Sequence, residues 1–178
     1  DDADAGYYVD TMAATDQTAC DPGTYQPSTG QTACIDASAG YYVDTTAATS
    51  QTACVAGTYQ ASTGQTSCDD ADAGYYVSTT AATSQTACAA GTYQPSTGQS
   101  SCTDASAGYY VSSTAATSQT ACAAGTYQES TGQTSCDDAD AGYYVASAGS
   151  ASQTACTAGT YQPSTGQTSC DDADAGYY

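Results

Sequence analysis

The ten cysteines are the residues of this chain whose type and spacing promise chemistry. They stand at 20, 34, 54, 68, 88, 102, 122, 136, 156 and 170, so that a short gap and a longer gap alternate from first to last. A thiol can ligate a metal, act as a nucleophile or pair as a disulfide. Zinc ribbons place cysteines two to four residues apart and often add histidine. Here the closest cysteines are 14 apart and histidine is absent. A nucleophile needs a neighbouring base, and the chain has no His or Lys to serve. Disulfides remain. Sequence alone leaves several pairings open. The sequential scheme joins Cys20–Cys34, Cys54–Cys68, Cys88–Cys102, Cys122–Cys136 and Cys156–Cys170, and satisfies every thiol. The alternative closes the longer loops, such as Cys34–Cys54, and leaves Cys20 and Cys170 to seek other partners. A loop of this size contributes about 3 kcal/mol in the chain-entropy model.

The carboxylates are the second chemical group. Acidic linkers read DDADAG at 69–74 and 137–142, and are thinned to IDASAG at 35–40 and TDASAG at 103–108. Asp69, Asp70, Asp72, Asp137, Asp138 and Asp140 are weak calcium candidates, since clustered oxygens suit that ion. An EF-hand needs ligands at alternate positions, and counting from Asp69 the third and fifth are Ala71 and Ala73. Solvation and mutual repulsion are the expected role of these carboxylates. Adjacent aspartates do not face each other across a cleft as glycosidase pairs do. With no Arg clamp either, an enzyme is not expected, and neither is a cofactor beyond possible calcium.

The elements that hold these groups must be small. The net charge is −19, with no Lys, Arg or His, and Leu, Phe, Trp and Asn are missing. The apolar inventory is Ala, Val, Tyr and Cys, with single Ile35 and Met12. Such a set cannot fill one large core; local disulfide staples are the substitute. Disulfide density points to an oxidising compartment, outside the cell or on its surface. A polyanion without cations is not expected to bind nucleic acid or an anionic membrane surface. No apolar run reaches the length of a membrane span.

The period of 34 organises the chain. Residues 55–88 and 89–122 agree at 28 of 34 positions. The chain divides into repeats 21–54, 55–88, 89–122 and 123–156, flanked by partial repeats 1–20 and 157–178. DDADAGYY occurs at both 1–8 and 171–178, so the array reads as a window of a longer one. Each repeat holds a short half, AGTYQPSTGQTSC, and a long half, AGYYVSTTAATSQTAC, both ending in Gln-Thr-small-Cys: a duplicated half-module. The short half predicts a hairpin. In 89–102 a strand at Gly91–Gln94 meets a turn at Pro95–Gly98, and Gln99–Cys102 returns. The long half turns over Ser78–Ser84; TTAAT has room for one helical turn, but no apolar stripe supports a helix there. Strict tandem periodicity predicts a quasi-one-dimensional architecture: small disulfide-rich hairpin and loop repeats forming an extended rod without a large hydrophobic core.

Tyrosines are the expected packing elements: Tyr25, Tyr41, Tyr42, Tyr59, Tyr75, Tyr76, Tyr93, Tyr109, Tyr110 and Tyr127. Rings tolerate a wet edge and are expected to lie over disulfides and alanines. Abundant Ser and Thr with scattered Pro suit an O-glycosylated stalk. Candidate sites are the loop tips Ser28, Thr29, Ser62, Thr63, Ser96, Thr97, Ser130, Thr131, Ser164 and Thr165, then Thr52, Thr86 and Thr120.

The segment Cys-x-Ala-Gly-Thr-Tyr-Gln-(Pro)-Ser-Thr-Gly-Gln-Thr-Ser-Cys, as in 54–68 and 88–102, resembles the cysteine-rich repeats of ephrin-receptor-like and TNF-receptor-like ectodomains. The resemblance implies a disulfide-laddered rod outside the cell and supports the sequential pairing. That family usually carries more cysteines per unit. A looser similarity is to fibre and stalk proteins of aquatic microbes. The expected function is that of an extracellular structural protein, a filament or surface stalk whose partners are further copies of itself. An adhesive or ligand-binding receptor-type ectodomain is the alternative, and an ice-binding protein a third reading.

Overall fold

The structure, a computed structural model, describes residues 2–174; Asp1 and residues 175–178, which belong to the two DDADAGYY copies and the flanking partial repeats, lie outside the described residues. The described chain has no helix and forms ten two-stranded sheets, each strand two residues long. Two compact units are present, one of residues 1–86 with 97–101 and one of 87–96 with 102–178.

Every hairpin is built on the same plan. Tyr41–Tyr42 pairs antiparallel with Thr52–Ala53, and Thr58–Tyr59 with Asp69–Asp70. In the second compact unit Thr92–Tyr93 pairs with Thr103–Asp104, and Tyr109–Tyr110 with Thr120–Ala121. The expected return strand at 99–102 is therefore corrected. Strand pairing begins one residue past the cysteine, and the acidic stretch is the second strand rather than a linker. Polar side chains suit that strand because it is exposed on both residues. TTAAT forms no helical turn, in line with its lack of an apolar stripe. Ala81 there has φ +54°, a left-handed conformation that a right-handed helix does not contain.

The structure repeats in 17-residue units, half the sequence period. Glycines with positive φ stand at 6, 23, 40, 57, 74, 91, 108, 125, 142 and 159. The buried small side chain three positions before the glycine recurs at the same interval: Ala3, Cys20, Ala37, Cys54, Ala71, Cys88, Ala105, Cys122 and Ala139. A second buried position alternates between Val43, Val77, Val111 and Val145 and the glutamines Gln26, Gln60, Gln94, Gln128 and Gln162. The core is thus a file of small residues, in line with a composition that lacks Leu and Phe.

Within each compact unit, backbone hydrogen bonds tie one 17-residue unit to the next. In the first compact unit Gly23 N donates to Val43 O (2.7 Å), Gln26 N to Ala48 O (3.0 Å) and Ala47 N to Cys20 O (2.8 Å). One unit further on, Gly40 N donates to Gln60 O (2.7 Å), Val43 N to Gln65 O (3.0 Å) and Gly64 N to Ala37 O (2.7 Å). The second compact unit repeats the triplet with Gly108 N to Gln128 O, Val111 N to Gln133 O and Gly132 N to Ala105 O, at 2.8, 2.9 and 2.8 Å. These bonds supply partners for backbone groups that two-residue strands leave unpaired.

Contact reaches two units ahead as well. A Cβ on Gly40 would overlap the backbone oxygen of Ala81, and one on Gly91 the backbone oxygen of Gly132. Gly142 has the same left-handed backbone, φ +86°, but nothing within 4 Å of that Cβ position. Gly142→Ala should therefore cost only the conformational penalty, about 1–2 kcal/mol. Gly40→Ala must in addition push a rigid carbonyl away, so its denaturation midpoint should fall well below that of Gly142→Ala. Equal midpoints for the two variants would show that the close approach is not tight.

Candidate functional site

The chemistry-bearing residues assemble into a lock repeated in every 17-residue unit, in two forms. The first form is covalent. Disulfides join Cys20–Cys34, Cys54–Cys68, Cys88–Cys102, Cys122–Cys136 and Cys156–Cys170, each across 14 residues with Cα atoms 5.7–5.8 Å apart. No free cysteine remains among the described residues. The first cysteine of the pair is buried, as in Cys20, Cys54, Cys88 and Cys122.

The second form, in the intervening units, uses the second cysteine position and the backbone N–H one residue past the first. Cys20 and Cys34, each moved forward by one unit, become Ala37 and Gln51. Gln51 Oε1 accepts a hydrogen bond from Ser38 N at 2.7 Å, closing the loop without a covalent bond. Gln85 does the same for Asp72 N (2.6 Å), Gln119 for Ser106 N (2.7 Å) and Gln153 for Asp140 N (2.7 Å). Where the acceptor loop carries Asp, the bond is reciprocated: Gln85 Nε2 donates to Asp72 Oδ2 at 2.6 Å and Gln153 Nε2 to Asp140 Oδ2 at 2.7 Å. A hydrogen bond to a carboxylate is stronger than a neutral one, so the Asp-bearing linkers close more firmly than the Ser-bearing ones.

A different set of glutamines fixes the turns of the disulfide halves. Buried Gln60 donates from Nε2 to Ser67 O (3.0 Å) and accepts at Oε1 from Ser62 N (3.0 Å). Gln26 bonds likewise to Ala33 O and Ser28 N, and Gln162 to Ser169 O and Ser164 N. Among the described residues no buried side-chain polar atom lacks a partner, as burial of amides requires.

The calcium candidates do not converge. Asp69–Asp70 and Asp137–Asp138 lie in exposed strands, while Asp72 and Asp140 are engaged by glutamine. Among the described residues no three His, Cys, Asp or Glu side chains come together. The tyrosines are half-buried at all ten expected packing positions, including Tyr25, Tyr59, Tyr75, Tyr76 and Tyr93. They flank the core instead of forming it, because its innermost positions admit only Ala, Cys, Val and the glutamines. Burial raises the pKa of the Tyr127 phenol, and the carboxylates of Asp140, Glu129 and Asp137 add to the rise, so this ring stays neutral well into alkaline solution. The loop-tip hydroxyl residues Ser28, Thr29, Ser62, Thr63, Ser96, Thr97, Ser130, Thr131, Ser164 and Thr165 are all exposed, as are Thr52, Thr86 and Thr120.

Residues 6–54 match the family described as tyrosine-protein kinase ephrin type A/B receptor-like. That segment includes one complete disulfide, Cys20–Cys34, and the Gln51 lock that follows it. The same units recur through the rest of the described chain, which is a cysteine-rich tandem repeat. No curated protein matches the chain. Dense disulfides with an ephrin-receptor-like segment define the class, disulfide-rich repeats of oxidising compartments. No helix among the described residues is long and apolar enough to cross a membrane.

Equivalence of the two locks is directly testable. Ala37→Cys combined with Gln51→Cys should form a sixth disulfide, leaving no titratable thiol after oxidation. The gain of a cross-link over a loop of this size, about 3 kcal/mol, exceeds the lost hydrogen bond, about 1 kcal/mol. Denaturant unfolding should therefore show a net stabilisation of about 2 kcal/mol. Two persistent free thiols would show that the positions are not equivalent.

Proposed function

We propose that the chain is a structural protein of the cell exterior, the repeating segment of a filament or surface stalk carrying O-linked sugars. The observation that carries this reading is the uniform backbone bonding between successive 17-residue units, seen in the same geometry in each compact unit. A repeat whose units all make the same contacts grows by adding copies and has no need of one special site. The modules 21–54, 55–88, 89–122 and 123–156 are then the units of growth, and the partners are further copies of the same chain, joined head-to-tail or laterally. Exposed Ser and Thr at the turns are positioned for glycans, and the charge of −19 keeps neighbouring copies soluble and apart. The exposed carboxylates then serve as surface charge, apart from those that accept from glutamine, Asp72 and Asp140 among them.

A receptor-type ectodomain is the second reading, favoured by the ephrin-receptor-like description of residues 6–54. Electron microscopy of the native material without reductant separates the two. Filaments whose axial periodicity corresponds to one or two 17-residue units are expected. Short dispersed particles with no periodic assembly would overturn the filament reading and favour the ectodomain.

A further inference from the structure

Two grooves, one in each compact unit, share one design. In the first, Tyr42, Thr52, Ala53, Val55, Thr58 and Cys68 surround about 400 Å³. In the second, at the equivalent place two sequence repeats later, Tyr110, Thr120, Ala121, Ala123, Thr126 and Cys136 surround about 500 Å³. Both are lined by a tyrosine, alanine, two threonines and a disulfide cysteine, the first also by Asp44, Thr66 and Ser67 and the second by Ser135. The register explains the pairing of ring and hydroxyl. Tyr42 lies directly opposite Thr52, and Tyr110 opposite Thr120. Directly opposed residues of an antiparallel pair have Cβ atoms about 5 Å apart on the same face. Thr52 and Thr120 are exposed, while Tyr42 and Tyr110 are half-buried and keep part of the ring open.

The juxtaposition recurs in the long halves, whereas among the described short halves only Tyr93 faces a threonine, Thr103. Tyr8 faces Thr18 and Tyr144 faces Thr154 in the same way. In the short halves the tyrosine faces Ile35, Asp69, Thr103, Asp137 or Asp171, with no constant hydroxyl. The chemistry of an occupant follows from the charge. A chain of net charge −19 with no cation repels anions. A lining of tyrosine, alanine and hydroxyl residues suits a neutral sugar ring, whose C–H face lies on an aromatic face while its hydroxyls meet polar side chains.

We propose that the threonine opposite tyrosine in each long-half hairpin, Thr52 and Thr120 foremost, carries an O-linked neutral sugar whose ring packs on Tyr42 or Tyr110 in this groove. The inference rests on the O-glycosylated reading above and deepens it. In the attachment step the threonine oxygen forms a bond to the anomeric carbon of a nucleoside-diphosphate sugar. The nucleoside diphosphate leaves, and the hydroxyl proton passes to a base of the glycosyltransferase.

The test uses the native glycoprotein. Cleavage at aspartate, followed by electron-transfer fragmentation of the glycopeptides, locates each sugar. Proton NMR of the intact chain then reads sugar-to-ring contacts. Sugars on Thr52 and Thr120, with their ring protons shifted upfield and in nuclear Overhauser contact with tyrosine, are expected. Sugars confined to the loop tips, such as Ser62–Thr63, would overturn this inference and leave the O-glycosylated reading standing. Sugars on Thr52 and Thr120 with neither shift nor contact would overturn the packing on tyrosine. A bare polypeptide mass would overturn both readings together.

Discussion

The close approach of backbone to backbone at Gly6, Gly23, Gly40, Gly57, Gly91, Gly108 and Gly125 governs the rest of this molecule. Gly40 holds a left-handed conformation and lies against the carbonyl of Ala81; Gly91 lies in the same way against Gly132. With that contact in place, little volume is left between successive hairpins. The innermost position can hold only Ala or Cys, and the next only Val or a glutamine whose amide is fully bonded. A composition without Leu, Phe or Trp is the consequence of this spacing. Backbone hydrogen bonds take the part that a large apolar core plays elsewhere, and the two-residue strands are anchored by their neighbours more than by their own pairing.

Two locks close the same loop by different physics. The disulfide removes conformations from the unfolded chain and acts whatever the solvent. The glutamine lock contributes a hydrogen bond of about 1 kcal/mol, more when Asp answers it, and is indifferent to redox conditions. Alternating them gives every second unit a covalent closure, and the shared backbone bonds carry that restraint to the unit between. The acidic residues acquire a structural meaning from this. Asp72 and Asp140 accept from glutamine, and Asp137 accepts from Gln128, whereas Asp69, Asp70 and Asp138 are exposed strand residues.

Much of this was legible in the sequence, and the part that was not has a physical reason. Cysteine number and regular spacing point to disulfides, with the short-loop pairing one of the schemes left open and supported by the family resemblance, and the absent large apolar residues point to small stapled modules. The return strand was misplaced because Pro95–Gly98 reads as a tight turn. The hairpin is in fact wider, with Gln94 buried beneath it and Asp104 in the second strand. Charged residues rarely announce a strand, so the acidic stretch read as a linker. The duplicated half-module is legible in the sequence, but its equal 17-residue length is masked because the cysteine gaps alternate between 14 and 20. The evenly spaced Ala-Gly glycines carried the signal, and a Gln in place of the second Cys has no local signature of its own. The tyrosines draw attention as the largest side chains, yet size is what keeps them out of the innermost layer.

The central claim is that disulfide and glutamine units are structurally equivalent members of one 17-residue repeat. Native-state amide hydrogen exchange, resolved by residue, tests it most directly. The amides of Gly23, Gly40 and Gly57 donate to the following unit, the first and third from disulfide halves and the second from a glutamine half. Comparable protection at all three, recurring in every unit along the chain, is the predicted result. Protection recurring only in alternate units, with Gly40 and its equivalents exchanging freely, would contradict the account.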